Sequence, residues 1–81
     1  MTYQAVIREV AINGVQYGMR IKFDIDKNVY KSSQRDTPWQ WQNYTTRNNR
    51  KMRRMVRISR NTELFSTVLE AFYKKYLEEA A

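Results

Sequence analysis

Apolar and polar residues alternate without error from residue 15 to residue 26. Val15, Tyr17, Met19, Ile21, Phe23 and Ile25 fall on one side, and Gln16, Gly18, Arg20, Lys22, Asp24 and Asp26 on the other. A period of two over twelve positions predicts a β-strand with one apolar face. Asn13-Gly14, immediately before it, is the favoured dipeptide of a two-residue type I′ turn, so residues 3–12 are predicted to pair back on the strand as a hairpin. Counting outward from that turn sets Ile12 opposite Val15, Val10 opposite Tyr17, Val6 opposite Ile21 and Gln4 opposite Phe23. Directly paired residues share a face, so Val6, Val10 and Ile12 join the apolar side. Arg8, opposite Met19, is the misfit there and has to run its stem towards solvent. The other face receives Tyr3, Ala5, Ile7, Glu9, Arg20 and Lys22.

Residues 27–38, KNVYKSSQRDTP, hold the only proline and read as a loop. WQWQNYTT then alternates again and predicts a third strand, with Trp39 and Trp41 on one side and Gln40 and Gln42 on the other. Arg47-Asn48-Asn49-Arg50 is a turn candidate, because asparagine tolerates left-handed backbone. A fourth strand over residues 51–59 would place Met52, Arg54, Val56 and Ile58 on one face and Lys51, Arg53, Met55 and Arg57 on the other. Beyond it the period changes. Leu64, Phe65, Val68, Leu69, Phe72, Tyr76 and Leu77 recur at helical spacing, with Asn61 as the cap, Glu63 in the first turn, and Glu70–Lys74 and Lys75–Glu79 as i,i+4 pairs.

The pattern predicts an α+β fold in which a small antiparallel sheet packs against one C-terminal helix. The sheet has three to four strands and opens with the Asn-Gly hairpin. Residues 1–81 form a single domain: hairpin 1–26, loop 27–38, two further strands over 39–59, helix 61–79. A helix covering the face of Val15, Ile21, Phe23, Val56 and Ile58 would leave Arg20, Lys22, Lys51, Arg53 and Arg57 on the opposite face.

Charge changes the picture by its position. The 81 residues carry a formal +7. Residues 1–46 hold six basic and four acidic groups, residues 47–60 hold seven and none, and residues 61–81 hold two and four. The excess therefore sits in RNNRKMRRMVRISR, which points to a polyanion or an acidic protein surface as the partner. Six of its seven cations are arginine, the residue suited to bidentate contact with phosphate or carboxylate.

Catalytic chemistry finds little to use. Without cysteine or histidine there is no thiolate, imidazole base or usual zinc ligand set. Both glycines belong to the hairpin, so no glycine-rich phosphate loop exists. Asp24 and Asp26 are read as ending their strand and balancing Arg20 and Lys22. No enzyme activity, cofactor or metal is expected. Neither an apolar leader core nor a long apolar run is present, and a soluble, intracellular protein without membrane contact is expected.

The run MRRMVRISRNTELFSTVLEAF, a basic strand passing straight into an amphipathic helix, resembles in pattern the last strand and helix of small, dimeric single-stranded-DNA-binding coactivators. It is similar too to the strand that opens ribbon-helix-helix repressors. The resemblance is one of pattern, and no family is assigned on it.

The leading expectation is a nucleic-acid-binding domain using a basic, aromatic-flanked sheet face, with single-stranded DNA or RNA slightly favoured over duplex. Arg47, Arg50, Lys51, Arg53, Arg54, Arg57 and Arg60 form its footprint, extended by Arg20 and Lys22. Trp39, Trp41 and Tyr44 are its stacking or edge contacts, the tryptophans having packing against the sheet as their other reading. The alternative is a small protein-interaction or inhibitor module, of the kind phage and mobile elements encode, docking its arginine-rich strand on an acidic surface. An uncovered edge at the first or last strand makes a homodimer a further expectation.

Overall fold

The computed structural model describes residues 2–77. Five strands come first: β1 (Tyr3–Ile12), β2 (Val15–Asp24), β3 (Val29–Lys31), β4 (Trp39–Thr45) and β5 (Lys51–Arg57). They are followed by α1 (Glu63–Phe72), which runs into a π-helical turn, Tyr73–Leu77. The sheet is antiparallel throughout, in the order β1-β2-β4-β5, with the short β3 sharing β2's second edge. This is an α+β fold, an open sheet packed on a C-terminal helix.

The hairpin folds as its turn dictates. Asn13 and Gly14 both take positive φ (52° and 80°), the requirement of a type I′ turn. The register is the one counted from the sequence, from Ile12 opposite Val15 to Gln4 opposite Phe23. Tyr17, Met19 and Ile21 are buried on the helix side against Val68 and Phe72, with Val10, Ile12, Val15, Tyr30, Ile58 and Leu69 around them. Arg8, the misfit on this face, is met by a strand the periodicity did not predict. β3 brings up Tyr30, whose hydroxyl accepts from Arg8 Nε at 2.8 Å while the guanidinium lies 5.6 Å from the ring centroid.

Three sequence expectations are corrected here. The cap of α1 is Thr62, not Asn61: its Oγ1 accepts from the Phe65 N–H at 3.3 Å and its hydroxyl donates to the Ser59 carbonyl. Leu64 lies off the buried stripe and is exposed. Val56 is not under the helix. α1 packs on β1 and β2 and the π-helical turn on β3, whereas β4 meets β2 only at Tyr17–Gln40 and Gly18–Trp39, so Val56 stays exposed on a ribbon that runs on from the core. Glu70–Lys74 forms as read, at 3.6 Å; Lys75–Glu79 and the end of the predicted helix lie outside the described residues.

The ribbon makes the molecule long. Its extents are 46 × 28 × 20 Å and its radius of gyration is 14.3 Å, against about 12 Å for a compact domain of this length. Both outer strands are blunted against further pairing, in different ways. On β1, the Glu9 carbonyl accepts from Tyr76 Oη (2.9 Å) and Lys75 Nζ (3.3 Å), and the Ile7 carbonyl from Arg8 Nη1 (3.1 Å). On β5, four cations line a seven-residue strand, so a second copy pairing there would meet like charge.

Candidate nucleic-acid interface

β4 and β5 form a seven-pair ladder from Trp39–Arg57 to Thr45–Lys51. The turn that closes it fits its asparagines. Asn49 takes φ 61°, and Thr46 and Arg50 are joined through Thr46 N–H to the Arg50 carbonyl (3.0 Å) and Arg50 N–H to Thr46 Oγ1 (3.2 Å). All seven residues of β5 are exposed. Because partners share a face, Trp39, Trp41, Asn43, Thr45, Lys51, Arg53, Met55 and Arg57 lie on the side away from the helix, continuous with Gly18, Arg20 and Lys22 of β2. Gln40, Gln42, Tyr44, Met52, Arg54 and Val56 lie on the helix side.

The centre of the open face is packed. Trp39 and Trp41 meet edge to face, 5.7 Å between centroids, and both indole nitrogens lean over Gly18. A Cβ at position 18 would lie 2.5 Å from Trp39 Nε1 and 2.8 Å from Trp41 Nε1. Neither buried indole N–H has an acceptor among the described residues. Arg53 stacks on Trp41, 4.1 Å from its centroid, and reaches across the sheet to Glu9 with Nη1–Oε1 at 2.8 Å and Nη2–Oε2 at 3.4 Å. This guanidinium is already committed, to a carboxylate and to a ring.

Beside that centre lies a cleft of about 1220 Å³. Arg20 and Lys22 of β2, Arg57 of β5, Arg60 beyond it and Arg35 of the loop before β4 line it, with Tyr3 and Trp39 at its sides. Asp36 is the single acid among the lining residues, and it is buried and turned inward: its Oδ2 accepts from the Ser33 N–H (2.9 Å) and from Tyr73 Oη (3.4 Å). These bonds pin the loop that carries Arg35 to the end of the helix. Burial first, then the charge of the neighbouring Asp36 carboxylate and the hydrogen bond to it, raise the Tyr73 pKa above its ordinary 10.0. Lys22 sits over the Tyr3 ring at 5.1 Å and Arg60 over Phe65 at 5.6 Å, which orders both cations at the cleft wall.

The candidate residues thus separate into groups. Arg20, Lys22, Arg57 and Arg60 come together in the cleft. Arg47, Arg50 and Lys51 stand at the far end of the ribbon. Arg54 faces the helix side, with its Nε on Gln42 Oε1 (3.1 Å) and its guanidinium 5.2 Å from the Tyr44 ring. Trp39, Trp41 and Tyr44 are half-buried, and arginines already cover Trp41 and Tyr44. Arg35 was missed by sequence reasoning, since nothing in KSSQRDTP marks its direction. Asp24 and Asp26 serve the turn after β2, accepting from the Lys27 N–H (3.2 Å) and the Thr2 N–H (3.0 Å). No cluster of metal-ligating side chains is found among the described residues, and no helix there is long and apolar enough to cross a membrane.

Comparison with protein-family models, with curated proteins and with solved structures finds no match to the chain.

Proposed function

We propose that the chain is a non-enzymatic nucleic-acid-binding domain that holds phosphates on the open face of its sheet. The observation that carries this reading is the cleft. Five cations converge there, and the single acid beside them is spent on internal hydrogen bonds. Among the described residues none of Arg20, Lys22, Arg35, Arg57 and Arg60 is in an ion pair, and a chain of phosphates relieves their repulsion while releasing counterions.

Charge reversal tests the proposal. Arg20→Glu with Arg57→Glu is expected to weaken oligonucleotide binding by about tenfold or more and to leave the circular dichroism spectrum unchanged, since both side chains are exposed. Arg53→Ala serves as the contrast and is expected to weaken binding less, because that arginine is held by Glu9. Unaltered binding by the double variant would overturn the assignment.

A second reading has its own observation. Met52 and Met55 are 47% and 57% exposed on a bare edge strand, and soft side chains among arginines suit a protein interface. Capture of an acidic protein with no affinity for oligonucleotides would favour it.

A further inference from the structure

The arrangement of cations along the ribbon bears on which form of nucleic acid is bound, an inference that rests on the function proposed above. At one end stand Arg47, Arg50 and Lys51, all exposed. At the other stand Arg57 and the cleft with Arg20, Lys22, Arg35 and Arg60. Between them the open face carries no net charge: Arg53 is neutralised by Glu9, and Asn43, Trp41 and Met55 are uncharged. The pattern is cation, neutral, cation. Lys51 and Arg57 are six residues apart on one strand, about 20 Å at 3.4 Å per residue.

A single strand laid along this face would leave its middle phosphates without partners. Its bases would find few free rings, because Trp39 and Trp41 pack on each other and on Gly18, Arg53 covers Trp41, and Arg54 covers Tyr44. A duplex meets the pattern differently. Its major groove is about 12 Å wide, is bordered by a phosphate backbone on each side, and admits a two-stranded β-ribbon. Two cation groups about 20 Å apart straddle such a groove.

We propose that the ligand is duplex nucleic acid of B-form geometry, with the β4–β5 ribbon lying across its major groove. The tip cations contact one backbone and the cleft cations the other. The uncharged middle, with Asn43, Trp41 and Met55, spans the mouth of the groove between them.

The test compares a defined DNA duplex, each of its separated strands, and the same duplex carrying glucosylated 5-hydroxymethylcytosine, whose sugars fill the major groove. The proposal expects the plain duplex to bind about tenfold tighter than either strand or the glucosylated form, and Arg50→Glu and Arg57→Glu each to weaken duplex binding. A strand bound as tightly as the duplex, or a glucosylated duplex bound as tightly as the plain one, overturns the groove placement and leaves the nucleic-acid reading standing. Failure to bind any of the four probes overturns both.

Discussion

At Gly18 two indoles occupy the space a side chain would take. The residue takes a strand position where the alternation calls only for something polar, and its smallness is what lets both indole nitrogens close over it, with Arg53 seated on the Trp41 ring. Gly18→Ala forces the rings to move, an overpacking cost of about 1–3 kcal/mol, or roughly 4–8 °C of Tm for each kcal/mol in a domain of this size. Thermal unfolding checks the stability, and a red shift in tryptophan emission would report the displaced rings. An unchanged Tm would mean the indoles have room elsewhere. The period of two put Arg53 on the open face and the two tryptophans on one side of their strand, without saying which face of the sheet that side was. It was silent on Arg53's commitment, because Glu9 lies 44 residues away in sequence and is brought opposite Gly18 only by the hairpin register.

Elements with a strong local signal were legible, and those stabilised by tertiary contacts were not. The Asn13-Gly14 turn fixed a ten-pair register on its own. β3, three residues long, is too short to show a period; it exists because Phe23 and Tyr30 pack edge to face at 5.0 Å and Arg8 needs a partner. Thr62 wins the cap over Asn61 because it also bonds back to the Ser59 carbonyl at 2.7 Å. The helix end is tied to the cleft through Tyr73 and Asp36, which has a pH consequence. A folded-state pKa raised above 10.0 means that the native state holds the Tyr73 proton more tightly than the unfolded chain does. That stabilisation is fully present below pH 10 and is lost as pH rises through the folded value. Urea midpoints are therefore expected to fall on the alkaline side of pH 10, and Tyr73→Phe to flatten that fall relative to the parent chain. Parallel declines in the two proteins would contradict the linkage.

On the scale of the molecule, sequence placed the excess charge in residues 47–60, and structure shows that the block is not one surface. It divides between a cleft, a ribbon tip, a neutralised centre and the helix-side face, and Arg35 joins it from a loop whose path no periodicity predicts. Neither glutamate of α1 pairs with the block: Glu70 pairs with Lys74, and Glu63 is exposed in the first turn. Strand-to-strand dimerisation gains no support from either edge, since β1 is capped by Tyr76 and Lys75 and β5 is cationic. The cations of the cleft, in no ion pair among the described residues, are on the open face. Binding there is electrostatic, and the affinity for a short DNA duplex as a function of salt measures it. Engagement of four to five phosphates by the cleft alone predicts a log–log slope of about −4, steeper where the tip cations also engage and reduced by about 1 in Arg57→Glu. A slope near zero, or no binding at low salt, would contradict the account.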